Sequence, residues 1–331
     1  MLTSKLACGP MSQEIIEAIF RYSNKTGKQL MLIASRNQID VESGYVFQTR
    51  QYTNYIASMK KMYPLSNIVI CRDHCGPGFG GQTEQGLEGT KRTISCDLEN
   101  GFDLIHIDLC LAKGMSHGDK LQHTLKLMRY AIDINPEVMF EIGTDENVGV
   151  AEMDFDRIAT DIQMCQRVAN PTFYVVQTGS LVYETSNTGS FNTDIVRTMK
   201  KTLHRCGTKL KEHNADYLTT KQLNLRKGVV DAVNIAPQLG VVQTSHVLSQ
   251  ALLYGLDTHS FMSSVVLGHK WKKWSDRFEN YNLCALIAGH YHFNRVEYQR
   301  LVDKLSKHID VREDIINEIT KVVNHYLSSL E

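Results

Sequence analysis

The segment that decides the fold spans residues 67–78 and runs Asn67-Ile68-Val69-Ile70-Cys71-Arg72-Asp73-His74-Cys75-Gly76-Pro77-Gly78. Its first half is a short apolar run that predicts a buried strand, and its second half is a glycine turn. Asp73 and His74 therefore stand at the tip of a strand, where the backbone is rigid and glycines let a ligand approach. An acid beside an imidazole can hold a metal or move a proton there; the plainer alternative is a capped strand end.

The composition disfavours two classes of partner. The 331 residues include 36 basic and 36 acidic side chains, so the zero formal charge offers no electrostatic footprint for nucleic acid or an anionic membrane. No apolar run approaches the roughly 20 residues that span a bilayer. The first residues also lack the apolar core of a signal peptide. Eight scattered cysteines without a CxxC favour reduced thiols, so we expect a cytoplasmic protein.

Short apolar runs recur at a fairly steady interval along the chain. They lie at residues 5–9, 30–35, 67–73, 103–109, 137–143, 172–178, 208–213 and 230–236. Stretches with helical periodicity, such as 12–23 and 118–134, separate them, and Ser12 is a suitable N-cap for the first of these. Repeated strand–helix units predict an α/β protein with a (β/α)8 TIM barrel. A doubly wound sheet is the competing topology, disfavoured by the number of runs and by the lack of a GxGxxG after the first.

The chain changes character after Leu256. Residues 281–331 carry no strand signal, and 309–330 have an apolar stripe at helical spacing. We therefore predict a barrel over 1–256 and a C-terminal helical extension, packed on the barrel, over 257–331. Such an element either caps the barrel or makes an oligomer contact, so a homo-oligomer is expected.

Polar residues follow the predicted strands at their C-terminal ends, where barrel enzymes place their working residues. We expect these positions to converge on one rim although they are far apart in sequence. The predicted substrate-binding residues are Ser35, Asn37, Gln38, Asp108, Gln177, Thr178, Gly179, Asp216 and Asn234.

Three further strand-end residues suit a divalent metal. His74, Glu141 and His213 offer imidazole and carboxylate groups, the usual donors to Zn²⁺. Such a metal would polarise a carbonyl and stabilise an enediolate formed next to it. Asp73 is then placed to carry a proton to or from a substrate hydroxyl, and Glu141 is the second predicted catalytic residue.

Plainer interpretations of these residues stay open. Glu141 can be a buried acid paired with Arg72 or Arg36. His106 and Asp108 alternate with apolar residues, which also suits a structural, hydrogen-bonded layer inside the barrel.

Two glycine-bearing segments are candidates for binding an anion. Gly240 follows Pro237 near the start of the last barrel helix, whose N-terminal amides can hold one. The loop Gly78-Phe79-Gly80-Gly81 is either an anion-binding nest or a flexible lid.

The strand-end motifs form a recognisable series. They are Ser35-Arg36-Asn37-Gln38, Arg72-Asp73-His74-Cys75-Gly76-Pro77, Ile105-His106-Ile107-Asp108, Glu141-Ile142-Gly143-Thr144-Asp145, Val175-Val176-Gln177-Thr178-Gly179, Glu212-His213-Asn214-Ala215-Asp216-Tyr217 and Asn234-Ile235-Ala236-Pro237. With this series the chain resembles the class II (metal-dependent) ketose-bisphosphate aldolase superfamily. Within it, the chain is most similar to the tagatose-bisphosphate aldolase accessory subunits, the GatZ/KbaZ group.

The resemblance implies a barrel that binds a divalent metal, expected to be Zn²⁺, and a ketose phosphate. It gives the proton transfer to Asp73, makes His74 and His213 metal ligands, and makes Glu141 an acidic ligand or near-ligand. Catalytic members place a histidine where this chain has Gln177, and a Gly/Ser-rich phosphate loop where it has residues 214–216. The accessory subunits share both departures.

The residues support two hypotheses about function. The first is a lyase that cleaves or forms a ketose phosphate, with a ketose epimerase as a close variant, because cleavage and re-addition can invert a centre. The second is a non-catalytic subunit that stabilises a separate aldolase chain. Gln177 and the missing phosphate loop favour the second hypothesis, whereas the complete set of Asp73, His74, Glu141 and His213 favours an enzyme.

Overall fold

Eight parallel strands close into a barrel in the computed structural model, which describes residues 2–79, 86–143, 154–277 and 280–331. In chain order the strands are β1 (Leu6–Cys8), β2 (Gln29–Ser35), β3 (Ile39–Asp40), β4 (Phe47–Gln48), β5 (Asn67–Cys75), β6 (Leu104–Ile107), β7 (Met139–Gly143), β8 (Phe173–Val175), β9 (Val182–Tyr183), β10 (Ser186–Asn187), β11 (Lys209–Glu212) and β12 (Ala232–Ile235). The barrel order is β1, β2, β5, β6, β7, β8, β11 and β12, and β12 pairs with β1 to close it. The predicted (β/α)8 barrel is confirmed, and each barrel strand falls on one of the predicted runs.

Helices alternate with the barrel strands and then continue beyond them. They are α1 (Gln13–Thr26), α2 (Thr49–Met62), α3 (Leu87–Glu99), α4 (His117–Ile134), α5 (Phe155–Gln166), α6 (Thr193–Arg205), α7 (Thr220–Arg226), α8 (Pro237–Leu253), α9 (His259–Leu267), α10 (Tyr281–Ala288), α11 (Val296–Leu305) and α12 (Val311–Leu330), with 3₁₀ helices at Lys270–Lys273 and Gly289–His292. The first helix begins where predicted because the Ser12 side chain accepts the N–H of Ile15.

Two apolar regions lie on either side of the barrel wall. The larger one packs the strands against the surrounding helices. The smaller one fills the lumen toward the N-terminal ends of the strands and consists of Leu2, Ala7, Met31, Ile33, Val69, Cys71, Leu104, Phe173 and Ala232. Side chains of a strand alternate between its two faces. The residue two positions after each lumen-facing apolar residue therefore also points into the lumen, one layer closer to the C-terminal ends of the strands. The upper layer of the lumen is therefore where the sequence changes from apolar to polar.

The last helix, α12, contacts both the start of the chain and the loop after β11. It packs against α1, α7 and α8. Lys5 Nζ donates to Leu330 O at 3.0 Å. Tyr326 Oη lies 2.7 Å from Ala215 O and accepts the N–H of Leu218, both in the loop after β11. The helical extension is as predicted, whereas the boundary between extension and barrel stays a prediction.

The described residues include no helix that is long and apolar enough to cross a membrane.

The β9–β10 hairpin ties the extension to the rim of the barrel. The N–H of Glu184 donates to Trp274 O at 2.9 Å. Asn187 Nδ2 donates to the carbonyls of Asn214 and Asp216 at 2.9 and 3.0 Å, in the loop after β11. These bonds bring the segment around Trp274 to the C-terminal ends of the strands.

Candidate active site

A layer of charged and polar side chains lies directly above the apolar layer of the lumen. The two-residue step along the strands leads from Cys71 to Asp73 on β5, from Leu104 to His106 on β6, from Met139 to Glu141 on β7 and from Ala232 to Asn234 on β12. Lys211 on β11 and His213 just beyond it complete the layer. These residues are buried, none of them more than 7% exposed. Charged groups packed so deeply need partners, and their partners define the site.

A bulge lets the adjacent residues Asp73 and His74 face the same space. Neighbouring side chains in a regular strand point to opposite faces. The pairing of β5 with β6 shifts register between Arg72 and Cys75, and His74 has a φ of 45°, in the left-handed region. A non-glycine residue keeps such a conformation only where its surroundings impose it. His74 Nε2 consequently lies 3.7 Å from Asp73 Oδ2, so the two residues share one site.

Three imidazole rings meet around Asp73. The ring centroids of His74, His106 and His213 lie 5.2–5.5 Å apart. One nitrogen of each ring is held by a protein oxygen, at 2.7 Å between His74 Nδ1 and Asp108 Oδ2, 2.8 Å between His106 Nε2 and Gly143 O, and 2.6 Å between His213 Nε2 and Glu141 Oε1. These contacts fix the orientation of the rings and direct their other nitrogens inward.

The second nitrogen of each ring faces the Asp73 carboxylate. His74 Nε2, His106 Nδ1 and His213 Nδ1 lie 3.7, 3.1 and 3.8 Å from its oxygens. His213 Nδ1 is buried and has no hydrogen-bond partner among the residues that the structure describes. The potential ligand atoms form two overlapping sets, Asp73 with His106, Glu141 and His213, and His74 with His106 and Asp108. Lone pairs this close to one another require a proton or a cation between them.

Glu141 is held between two partners. Its Oε2 accepts from Lys211 Nζ at 2.6 Å, and its Oε1 accepts from His213 at 2.6 Å. The expected pairing with Arg72 or Arg36 is wrong, because both arginines bond to other carboxylates. A carboxylate behind a histidine fixes which ring nitrogen carries the proton. Glu141 therefore leaves His213 Nδ1 without a hydrogen and able to act as a ligand.

The layer holds a defined set of charges. Burial raises the pKa of Asp73, but the charges of His74 and His213 outweigh burial and hold that pKa well below its usual range. Burial likewise raises the pKa of Glu141, yet the adjacent ammonium brings it down to about 2. Burial lowers the pKa of His106, whereas the Glu141 charge and the hydrogen bond with Asp73 raise it to about 9. At neutral pH and without a metal, Asp73 and Glu141 are carboxylates and His106 carries a proton, which a bound metal would have to displace.

Two of the predicted substrate-binding residues, Asn234 and Asp108, lie at this layer. Asn234 Nδ2 donates to Asp73 Oδ2 at 3.4 Å, while its buried Oδ1 has no partner within the described ranges. Asp108 orients His74. Gln177 lines a cavity of about 380 Å³ next to Asp108. Their contacts with a substrate stay predictions.

Thr178 and Gly179 follow β8 but lie beside the layer rather than in it. Thr178 Oγ1 donates to Glu212 Oε1 at 2.8 Å. Glu212 is itself paired with the buried Arg226 at 2.8 Å. Because Glu212 alternates with Lys211 along β11, this network lies outside the lumen.

The residues after β2 bond mainly to one another. Gln38 Oε1 accepts from the backbone N–H and the hydroxyl of Ser35, at 2.8 and 3.1 Å. Asn37 is exposed. Four residues of the predicted motifs lie outside the described ranges, namely Gly80, Gly81, Thr144 and Asp145.

The N-terminus of α8 is occupied by a side chain of the protein. Asp216 Oδ1 accepts the N–H groups of Ala236 and Gln238, both at 2.9 Å. Burial raises the pKa of Asp216 to about 7 despite these hydrogen bonds. The expectation that these amides hold an external anion is therefore wrong here. Gly240 serves close packing instead, because a Cβ at that position would lie 2.5 Å from His290 Cβ.

The sequence interpretation missed two members of the site. His106 was expected in a structural layer, yet it belongs to both sets of potential ligands. Lys211 was not singled out. Both could have been found from alternation, because His106 stands two residues after the lumen-facing Leu104 and Lys211 two residues before His213.

The chain is similar to solved structures along nearly its whole length. No family profile matches the sequence, and neither does any curated protein sequence. A probable tagatose 6 phosphate kinase from Sinorhizobium meliloti 1021 is 14% identical with a TM-score of 0.83, over 98% of this chain and 99% of that one. Fructose-bisphosphate aldolase from Campylobacter jejuni is 10% identical with a TM-score of 0.64, over 99% and 89%. A putative fructose-1,6-biphosphate aldolase from Coccidioides immitis is 15% identical with a TM-score of 0.53, over 95% and 93%. Likeness at these identities confirms the predicted resemblance for the fold.

Proposed function

We propose that this protein is a divalent-metal-dependent lyase of the aldolase type, acting on a ketose phosphate through an enediolate. The observation that carries the proposal is the arrangement of three imidazoles around Asp73, each with one nitrogen held by a protein oxygen and the other directed inward. The aldolase-fold neighbours support the same reaction class.

The donor set fits a metal such as Zn²⁺. Ligand atoms about 2.0–2.1 Å from a tetrahedral Zn²⁺ stand roughly 3.3 Å from one another, and His74 and His213 each place a potential ligand atom within 4.8 Å of one on His106. Metal-binding histidines usually donate their other N–H to a carboxylate or carbonyl, as all three rings can here. His74, His106 and His213 would hold the metal, with Glu141 as a near-ligand. When bound, it would polarise the substrate carbonyl and stabilise the enediolate.

The remaining residues of the layer would handle protons and orientation. Asp73 is a carboxylate at neutral pH, so it can take the proton from the hydroxyl beside the carbon–carbon bond that breaks. The Asn234 amide donates to Asp73 Oδ2 and steadies that carboxylate. Lys211 keeps Glu141 charged, and Glu141 keeps His213 in the ligand tautomer.

The test is to purify the full chain, measure bound metal by mass spectrometry and assay ketose phosphates for cleavage and epimerisation. We expect one metal per chain, reduced in His74→Ala, His106→Ala and His213→Ala. Asp73→Asn should retain the metal and lose roughly 10²–10⁴-fold in kcat, because it removes only the proton carrier. A chain that binds no stoichiometric metal and turns over no ketose phosphate would disprove the proposal. Product analysis separates a lyase from an epimerase, which would use the same residues.

A second candidate function is that of a non-catalytic subunit supporting a separate aldolase chain. It is favoured by Gln177 and by Asp216 at the α8 amides, where a phosphate-binding loop is expected in catalytic relatives. In that case turnover would require the added aldolase chain and would be insensitive to Asp73→Asn.

We also propose a cellular compartment and an assembly state for the protein. All eight cysteines are free thiols, which supports a reducing compartment such as the cytoplasm. We propose a homo-oligomer with the helical extension as the contact element, to be tested by sedimentation of the full chain with and without substitutions on α11 and α12.

A further inference from the structure

His74 is the least sheltered of the three imidazoles around Asp73. Its side chain is 25% exposed, whereas those of His106 and His213 are 0% and 2% exposed. It also stands on the bulge of β5, in a left-handed backbone conformation. Asp108 Oδ2 holds its Nδ1 at 2.7 Å, but one hydrogen bond fixes an atom of a ring and not the plane of the ring. A second contact is therefore needed to set where His74 Nε2 points.

The ring of Phe79 supplies that contact. It lies against the His74 ring in a stacked arrangement, with the ring centroids 4.9 Å apart and an angle of 18° between the two planes. Aromatic rings at such a separation attract each other beyond the effect of the area that they bury. Asp108 thus fixes one edge of the imidazole and Phe79 fixes its plane, and His74 Nε2 is left facing the Asp73 carboxylate.

The position of Phe79 is set in turn by a buried arginine. Arg36 is 1% exposed, and its Nη1 donates to the Phe79 carbonyl oxygen at 2.8 Å. Its Nε lies 3.2 Å from Oδ2 of the buried Asp40, and Asp40 Oδ1 accepts the hydroxyl of Thr93 on α3 at 2.9 Å. These contacts connect the end of β2 to the residue that stacks on His74. They give Arg36, in the motif of residues 35–38, a role at the site.

The turn between His74 and Phe79 packs closely on the residue that holds the His74 ring. A Cβ at Gly76 would lie 1.6 Å from Asp108 O, so this approach of the two backbones requires glycine. The N–H of Phe79 donates to Gly76 O at 3.3 Å and closes the turn. The turn that presents Phe79 is therefore in direct contact with the residue that binds His74 Nδ1.

We infer that Phe79 is a positioning residue that keeps the His74 imidazole turned toward the centre of the site, and that Arg36 holds Phe79 in place. The inference rests on the proposed function, because it takes His74 as a ligand of the metal. An imidazole whose plane is already fixed loses less freedom when it binds a metal, so the stack should tighten metal binding. Phe79 acts through His74, and no step of the reaction is assigned to it.

The first measurement detects the stack without metal or substrate. In the full chain with isotopically labelled histidine, the NMR signal of the His74 ring is identified by its loss in His74→Ala. A stacked aromatic ring shifts the resonances of its neighbour. Phe79→Leu should therefore move the His74 signal toward that of an unstacked histidine, whereas Phe79→Tyr, which keeps the ring, should leave it nearly unchanged.

The second measurement is the affinity for Zn²⁺, determined by competition with a chelator. Phe79→Leu should bind the metal about two- to tenfold more weakly, which is the usual contribution of an aromatic pair, and Phe79→Tyr should retain the affinity. Arg36→Lys keeps a positive charge beside Asp40 but loses the planar fork, so it should change signal and affinity in the same direction. The double variant should lose little more than Phe79→Leu alone, because both substitutions act through one contact.

Phe191 provides the matched control. It is also a half-buried phenylalanine, and its ring centroid lies 4.1 Å from Arg226 Cζ. No histidine stacks on it in the described ranges. Phe191→Leu should leave the His74 signal and the metal affinity unchanged. Equal changes in Phe191→Leu and Phe79→Leu would overturn the inference, because loss of a phenylalanine elsewhere would then disturb the site as much. The midpoint of thermal unfolding checks that each variant is folded.

Two other outcomes also count against the inference. An unchanged His74 signal in folded Phe79→Leu would mean that Phe79 does not orient the ring, and a changed signal with unchanged metal affinity would mean that the orientation does not matter for binding. The proposed function fails separately. A chain whose His74 signal depends on Phe79 but which binds no metal keeps the stack and loses the lyase. An active metalloenzyme that is indifferent to Phe79→Leu does the reverse.

Discussion

The barrel carries two kinds of buried charge, on opposite sides of its wall. Outside the lumen, Arg72 donates to both oxygens of Asp97 at 2.6 and 2.7 Å and to two backbone carbonyls, those of Ala34 and Ile39. Inside the lumen, Asp73 faces three imidazoles, and His213 Nδ1 has no partner in the described residues. The outer charges have all their polar atoms satisfied, whereas the inner ones keep lone pairs directed at one another.

This difference separates the charges that stabilise the fold from the charges that can take part in a reaction. A saturated pair such as Arg72–Asp97 can do little except hold β5 to α3, because no atom is left to bind a ligand. The unsaturated layer is retained at a cost in stability, and it is the part that can bind a metal or transfer a proton. Four predictions test how far this distinction extends.

The largest effect is expected from breaking a saturated pair. Arg72→Met leaves the Asp97 carboxylate buried without its cation, and the free energy of unfolding should fall by roughly 3–5 kcal/mol. Chemical denaturation at neutral pH measures it. The double variant Arg72→Met with Asp97→Leu should recover much of the loss, because no charge remains uncompensated. If the free energy of unfolding falls as much in the double variant as in the single one, the ion pair itself stabilises the wall, and leaving a charge without a partner is not the cause of the loss.

The second effect is of opposite sign and depends on pH. Asp216 accepts two hydrogen bonds but forms no ion pair in the described ranges, and burial raises its pKa to about 7. Its folded pKa lies above the unfolded value of about 3.9, so its contribution to stability is present in acid and is lost as the pH rises through 7. Asp216→Asn keeps the acceptor oxygen without the charge. It should gain up to a few kcal/mol on the parent protein between pH 4 and pH 8. A stability difference that is flat with pH would contradict the raised pKa.

The third effect concerns Glu141, which shares features of both kinds of charge. Glu141 is saturated by Lys211 and His213, yet it serves the unsaturated layer by orienting His213. Glu141→Gln should weaken metal binding about 10–100-fold, which competition with a chelator measures. Complete loss of binding would instead make Glu141 a direct ligand, as the sequence resemblance implies.

The smallest effect is expected where a charge pair is solvated. Glu88 and Lys91 pair at 2.8 Å on α3, the helix that also carries Asp97, but both side chains are exposed. Lys91→Met should leave the unfolding curve unchanged within error, since water screens the pair. A clear destabilisation would show that charge pairs on this helix matter irrespective of burial.

The barrel was well predicted from the sequence because the pattern that indicates each strand is short and recurs along the chain. Each barrel strand is a short apolar run followed by polar residues, and the residues around Asp73 carry the whole pattern in one segment. The start of α1 at Ser12 was predicted for the same reason, because an N-cap acts over three residues. The convergence of strand ends also follows from topology alone, so His74, Glu141 and His213 were expected together, as they are found.

The partners of the site residues were harder to predict because they depend on register across the barrel. Glu141 bonds to Lys211 rather than to an arginine, since β7 and β11 place those two side chains in one layer. The shared face of Asp73 and His74 depends on a bulge that no propensity indicates. Asp216 at the α8 amides depends on how the loop after β11 lies against β12.

The contact between α12 and the loop after β11 has a consequence for how the protein is made. Tyr326 bonds to Ala215 and Leu218, only a few residues after His213, and Lys5, just before the first strand, bonds to Leu330. All eight barrel strands therefore leave the ribosome before the helix that fastens the first strand and this loop has been translated. A nascent chain that already contains every candidate ligand still lacks that clamp, so the site should mature late, after synthesis has passed Tyr326.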